Sequence, residues 1–274
     1  MSVNNIQANA NARDWQVGIW DKMSDIYADA IDPRFVPVVA HLMRRGNPAP
    51  GSTVLDLGTG TGAVAFECAA KLGSNVQVTA VDISPKMLDV ARERAKKHSL
   101  ANMSFVEGSA EQIPALDQSH DIILSSLCMM FVIDRAKAAR EIARVLRPAG
   151  KFVASVWAGP EQCDLIKFQQ TAGSFAPKPP VKGVGPGALA DPEPFIRQLS
   201  DAGLKAKFET EITELQFDNF QSAWDAMANV SVLGIDEETR EKAKSAVRDI
   251  MWPKADKPRI FRNAAHYISA VKVR

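Results

Sequence analysis

Val54-Leu-Asp-Leu-Gly-Thr-Gly-Thr-Gly62 joins an apolar strand directly to a glycine turn. Val54, Leu55 and Leu57 read as a strand buried in a core. The alternating Gly58, Gly60 and Gly62 let the backbone approach a ligand where a Cβ would intrude. Asp56 stands at the strand tip, and Asp82 closes a second apolar strand about 20 residues further on. Gly58-x-Gly60-x-x-Ala63 with that later acid satisfies the dinucleotide-binding pattern. What Asp82 needs is any ribose, because a carboxylate at a strand's C-terminal edge accepts hydrogen bonds from both hydroxyls. On this spacing alone, a nicotinamide dinucleotide and other adenosine ligands stand equal.

Outward from the turn, strand and helix alternate. Strands are expected at 52–57, 76–82, 103–107, 120–126 and 150–157, with helices at 61–72, 85–98 and 134–147 between them. That rhythm predicts a doubly wound, mostly parallel sheet. Ser84-Pro85 and Asp134 mark two helix starts, and Pro148-Ala-Gly150 marks a stop. Before the core, Trp15, Ile19, Met23, Ile26, Tyr27 and Ala30 recur at helical spacing, and a second helix runs from Asp32-Pro33 to Gly46. After it, residues 173–190 lack periodicity and read as a long loop and candidate lid. A helix from Asp191 to about Ala202, a strand from Leu204 to Leu215, two helices over 218–252 and a closing strand at 265–273 complete the chain. The division expected is a helical leader at 1–46, a cofactor-binding core at 52–157, an acceptor-side region at 158–252 and a closing segment at 253–274, within one domain.

The 33 basic and 32 acidic residues nearly cancel, and no basic run exceeds a pair, so the footprint of a nucleic-acid binder is missing. No apolar run approaches the roughly 18 residues of a spanning helix. The three cysteines, Cys68, Cys128 and Cys163, lack the paired spacing of a zinc site or a disulfide framework. The expectation is a cytoplasmic protein without a metal, monomeric or homodimeric, that acts on a small molecule.

Five blocks follow one another in register: VLDLGTGTG (54–62), VTAVDISPKMLDVARERA (78–95), FVEGSAEQIP (105–114), DIILSSLCMMFVID (121–134) and REIARVLRPAGKFVAS (140–155). Together they resemble the class I S-adenosylmethionine-dependent methyltransferases of the small-molecule kind, related to the ubiquinone/menaquinone-biosynthesis methyltransferases (methyltransferase type 11). The resemblance implies a Rossmann-like α/β fold with seven strands, an antiparallel last strand and a helical lid. It implies adenosylmethionine as cofactor and adenosylhomocysteine as product. By resemblance, Gly58, Thr59, Gly60 and Gly62 lie against the methionine tail, Asp56 orients that turn, and Tyr27 covers the tail. Asp82 takes the ribose, Ile83 and Met87 touch adenine, Ser109, Ala110 and Glu111 meet its edge, and Ser125 stands beside the sulfonium. For Met87 the competing reading is plain core packing, and for Glu111 a solvated loop acid.

The fourth strand sets the class of acceptor. It lacks the Asn/Asp-Pro-Pro-aromatic run of amino-methyltransferases and the Pro-Cys nucleophile of cytosine C5 enzymes. The acceptor pocket is expected at Ser126, Cys128, Met129, Met130 and Trp20. Many relatives carry a histidine near this point, where Met129, Met130 and Phe131 stand here. His41 and His266 are the candidate general bases that are left, since His98 and His120 read as solvent-facing. Trp15, Trp20, Trp224 and Trp252 fall in segments that would cover the acceptor; if they line a pocket, the acceptor is apolar or aromatic. Two alternatives stay open. One is a protein of this fold that catalyses a non-methyl rearrangement or only binds. The other is an NAD-dependent oxidoreductase, disfavoured because no Tyr-x-x-x-Lys pair follows the fourth strand.

Overall fold

The computed structural model describes residues 3–253 and 257–273. Its leader is α1 (Val3–Ile26), a π-helical turn at Tyr27–Ile31 and α2 (Asp32–Gly46), which stops at Asn47 in the left-handed region. The core follows as β1 (Thr53–Leu57), α3 (Ala63–Leu72), β2 (Gln77–Asp82), α4 (Pro85–Lys97), β3 (Met103–Glu107), β4 (His120–Ser126), α5 (Arg135–Val145) and β5 (Leu146–Trp157). Beyond it come α6 (Asp164–Gly173), α7 (Glu193–Asp201), β6 (Leu204–Phe217), α8 (Phe220–Met227), α9 (Glu237–Met251) and β7 (Arg259–Lys272).

These strands form one sheet in the order β3-β2-β1-β4-β5-β7-β6. Pairing is parallel from β3 through β5, and β7 runs antiparallel to both β5 and β6. Central strands read as unbroken apolar runs because helices cover both faces: Val54, Leu55 and Leu57 are all buried in the main core. The strand order reverses between β1 and β4, which opens a crevice at the C-terminal edge of the sheet. Helix starts are fixed by side chains, as the sequence suggested. The Met87 amide donates to Ser84 Oγ (3.1 Å) and the Lys137 amide to Asp134 Oδ1 (2.8 Å).

Three elements differ from expectation. Helix α5 ends at Val145 and β5 begins at Leu146, not after the Pro148-Ala-Gly150 break. Pro148 disfavours a helical Arg147, and Ala149 at φ 64° completes an extended detour that pairs Leu146 with His120 before the regular ladder resumes. Helix α6 forms where no periodicity was singled out. Strand β7 starts six residues before 265, because its first half pairs with β6 from Phe217↔Arg259 onward without a ladder to β5, and its polar residues there hide the strand pattern. Trp224 and Trp252 sit in an aromatic cluster with Phe168, Phe220 and Phe261, so both are core residues and not pocket walls.

Candidate active site

At the end of β1 the chain turns sharply through Gly58, whose φ is +75°. The amides of Gly58 and Thr59 both donate to the Val81 carbonyl, at 2.8 and 3.0 Å, which pins the turn to the end of β2. A Cβ on Gly58 would stand 2.3 Å from Cys128 Sγ, so only glycine fits between the turn and the loop after β4. Beneath the turn, Asp56 is buried; its Oδ2 accepts from Thr59 Oγ1 (2.6 Å) and the Ala65 amide (3.1 Å), and its Oδ1 has no partner. Burial pushes this carboxyl up to about 7, with Asp82 and Asp32 adding to the rise.

Asp82 is buried at the tip of β2 and accepts the Gly60 amide on Oδ2 (2.7 Å) and the Ser84 amide on Oδ1 (2.9 Å). Burial raises its carboxyl as well. Each of these oxygens keeps a lone pair for a further donor. Gly58, Thr59, Gly60, Asp82, Ile83, Met87, Ser109, Ala110 and Glu111 border one cleft with about 1080 Å³ of open space. Met87 serves two roles, since it also packs in a small apolar cluster with Met23 and Ile31 of the leader.

The leader forms the cleft's other wall. Arg13, Gln16, Trp20 and Tyr27 line it at helical spacing, and this mixed polar and aromatic face, not the apolar stripe through Trp15 and Ile26, turns toward the ligand side. Trp15 and Ile26 are each 39% exposed. The leader bonds to all four loops that follow β1 to β4. Asp32 Oδ2 accepts from Thr61 Oγ1 (2.6 Å), Asp21 Oδ1 from Ser84 Oγ (2.6 Å), Glu111 Oε2 from Arg13 (2.6 Å), and the Phe131 carbonyl from Gln16 Nε2 (2.7 Å). Glu111 is therefore a buried, paired acid and not a solvated one. Its Oε1 also accepts the Asp134 amide (3.1 Å).

A second, smaller chamber adjoins the cleft, with Trp20, Tyr27, Phe35, Leu127 and Phe131 bordering both. Its remaining wall comes from Ile31, Met130, Trp157, Gln169 of α6, Pro186 of the long loop, Ala226 and Met227 at the end of α8, and Asn229 and Val230 just beyond it. No charged side chain is among its described lining residues. Leu127, at the junction, holds φ 55°, with its amide donating to the Ser155 carbonyl and Oγ. Cys128 faces the cleft as a neutral thiol, pushed up to about 12 by burial.

Several expected site residues lie elsewhere. Ser125 is wholly buried and donates to the Leu57 carbonyl (2.8 Å), so it supports β1 from behind the cleft. Gly62 caps α3 and Met129 is buried in the core; neither borders the cleft or the chamber, whereas Ser126 and Cys128 border the cleft and Met130 the chamber. His41 is held by Arg44 (2.7 Å) and stacks on Tyr267, and His266 Nδ1 and Nε2 lie 2.8 and 3.0 Å from Thr210 Oγ1 and the Ala190 carbonyl. Burial lowers both imidazoles, and neither histidine lines either space. Arg13, Gln16, Phe35 and Gln169 were not foreseen; the first two could have been found from the 13-16-20-27 spacing that places them beside Trp20 and Tyr27. Among the described residues no group of three or more His, Cys, Asp or Glu is placed to hold a metal, and no helix is long and apolar enough to cross a membrane.

A sheet of this order with a reversed β7, a glycine turn over a buried acid and a second acid at the tip of β2 has the architecture of a class I methyltransferase. Residues 48–176 match the family model described as a methyltransferase domain. The ubiquinone/menaquinone biosynthesis C-methyltransferase UbiE of Brucella anthropi is 45% identical over 105 residues, covering 38% of this chain and 40% of that protein. The match thus spans about two fifths of that relative's length. Among solved structures, the YcgJ protein of Bacillus subtilis superimposes with a TM-score of 0.63 at 21% identity, over 86% of this chain and 98% of that one. Phosphoethanolamine N-methyltransferase 2 of Haemonchus contortus, solved in complex with S-adenosyl-L-methionine, gives 0.57 at 20% identity over 87% and 53%. Residues 48–176 thus carry a methyltransferase domain, and the sheet around it has the class I methyltransferase fold.

Proposed function

We propose that the protein transfers a methyl group from S-adenosylmethionine to a small, apolar acceptor and releases S-adenosylhomocysteine. The observation that carries this reading is the pair of adjoining spaces: a polar-edged cleft over the glycine turn, beside an uncharged chamber lined by aromatic and aliphatic side chains. The cleft fits the cofactor on its own chemistry. Asp82 has lone pairs free for the ribose hydroxyls, Ile83 and Met87 offer apolar contact to a flat base, and Asp56 holds an unpartnered buried oxygen under the turn where a cationic ammonium would be attracted.

When bound, the cofactor supplies an already activated methyl group, so the residues of this chain have mainly to align and to exclude water. Trp20, Tyr27, Phe35, Leu127 and Phe131, shared by both spaces, stand at the boundary where acceptor and methyl would meet. Such orientation alone contributes roughly 7–11 kcal/mol to a bimolecular step. No histidine or lysine lines the cleft or the chamber among the described residues. The carboxylates there are engaged: Asp32 by Thr61 and Arg94, Asp82 by two amides, Glu111 by Arg13 and the Asp134 amide. The described lining thus offers no histidine base to the acceptor.

The test is to incubate a small-molecule extract with the protein and methyl-labelled adenosylmethionine, and to search by mass spectrometry for labelled products. A labelled apolar compound that depends on the protein is expected. Tight binding of adenosylhomocysteine with no labelled product from any fraction would replace methyl transfer by a binding or rearrangement role.

A further inference from the structure

The sheet ends on β6, a 14-residue strand that pairs only with β7 among the described strands, so the N–H and C=O groups on its outer side meet no strand. Natural edges are kept short, bulged, broken by proline or guarded by lysine, because an open edge is a template for another strand. The opposite edge follows this rule: β3 has five residues, and Arg92 takes its Phe105 carbonyl (3.1 Å). Strand β6 has no proline, and its register to β7 runs unbroken from Leu204↔Lys272 to Phe217↔Arg259. It carries Lys205 and Lys207, but Glu209 and Glu211 follow at the same alternation and share their face. Arg45, 4.4 Å over the Tyr267 ring, bonds Glu209 at 3.2 Å and Glu211 at 2.8 Å and so fixes both acids on that face.

We propose that this edge is a homodimer interface: β6 pairs antiparallel with β6 of a second copy, Phe208 against Phe208, and the sheet continues across the two-fold axis. The register follows from charge. Residues directly opposite in an antiparallel pair point to the same face, and a two-fold axis perpendicular to the sheet preserves faces, so the axis passes between two copies of one residue. Placed at Phe208, it sets Lys205 opposite Glu211 of the partner subunit and Lys207 opposite Glu209 of the partner subunit, with each pair made twice. Placed at Lys207 or Glu209, it sets like charges face to face; at Ala206 it opposes Lys205 to Lys207, and at Thr210 it opposes Glu209 to Glu211. Only the Phe208 register turns both lysines onto acids. On the other face, Ile212, 50% exposed in the single chain, lies opposite Leu204 of the partner subunit. One paired strand is at the small end of specific interfaces, so the dimer forms at micromolar concentration.

Sedimentation velocity over a micromolar concentration series, combined with charge reversal, tests this pairing. The parent protein is expected to pass from monomer to dimer. Lys205→Glu with Lys207→Glu weakens dimerisation by about a hundredfold, roughly threefold for each contact made repulsive, and Glu209→Lys with Glu211→Lys does the same. An equimolar mixture of the two double variants recovers the dimer, since every opposed pair is again of opposite sign, and the recovery shows that both variants fold. Mild oxidation cross-links Phe208→Cys as a dimer but not Thr210→Cys, because only position 208 meets itself at the axis. The proposal is overturned by a parent that stays monomeric throughout or by a dimer indifferent to charge reversal. It is equally overturned by a mixture that fails to recover although both variants match the parent in circular dichroism, or by cross-linking at Thr210→Cys in place of Phe208→Cys.

Discussion

Replacing Asp56 by Asn should make the cofactor-free protein more stable at alkaline pH and leave it nearly unchanged in acid. The carboxyl is buried with one oxygen unpartnered, and it titrates near 7 in the fold against 3.8 for the ordinary group. A folded value above the unfolded one means that the native state holds the proton more tightly. Stability is thus greatest below the unfolded value, falls as pH rises between the two, and is level above the folded value. A rise of roughly three units, at about 1.4 kcal/mol each, makes the ionised carboxylate about 4 kcal/mol costlier in the fold than the protonated one. Asn mimics the protonated acid: its oxygen can accept from Thr59 and Ala65, and its amine takes the unpartnered position. Urea unfolding of the two proteins without cofactor should give similar free energies near pH 4, with a gap that widens to about 4 kcal/mol in favour of Asn above pH 7. Comparing variant with parent removes the contributions of Asp82 and Asp32 to first order. Adenosylmethionine should bind the variant more weakly, since the negative charge under the turn is gone. Parallel stability curves across this pH range would refute the account of Asp56 as a destabilised acid held for a ligand.

Asp82→Ala is expected to weaken adenosylmethionine binding by about 1.5–3 kcal/mol, the scale of hydrogen bonds to a charged group; unchanged affinity by calorimetry rules out the ribose role. Gly58→Ala is expected to cost about 1–3 kcal/mol in overpacking against Cys128, with a further loss for its left-handed backbone, and to abolish measurable cofactor binding. Adding Cys128→Gly should recover part of that stability in a double-mutant cycle, because it removes the sulfur 2.3 Å from the new Cβ. Additive losses would mean that the Cys128 contact is not the reason for glycine.

The part of the fold legible in the sequence is the part governed by local rules. Val54 to Leu57, the glycine turn and the Ser84 and Asp134 caps each declare themselves within a few residues, and the five core strands follow from their rhythm. The acids Asp56 and Asp82 were legible for the same reason, since their place at strand tips fixes where they lie. What escaped depends on elements that meet across the chain. Gln169 shares its wall with Trp20, Leu127 and Met227, and no spacing in the sequence announces that meeting. Ser125 and Met129 each lie one residue from a lining position, Ser126 and Met130, because successive residues of β4 face opposite sides of the sheet and Met129–Phe131 form a tight 3₁₀ turn. His41 and His266 are attractive for their chemistry alone, but Arg44 of the same helix and the Tyr267 ring hold the first, and Thr210 of β6 and the Ala190 carbonyl hold the second.

The four bonds from the leader to the loops after β1 to β4 carry a consequence for how the protein is made. Their partners are 29, 63, 98 and 115 residues apart in sequence. The leader leaves the ribosome before those loops, so it must wait for the loop after β4 before its last anchor exists. Contacts so distant are entropically slow to close, so the leader docks late in folding although it is synthesised early. Until then its aromatic face, Trp20 and Tyr27 included, stays uncovered, and the nascent chain is most exposed to aggregation in that interval.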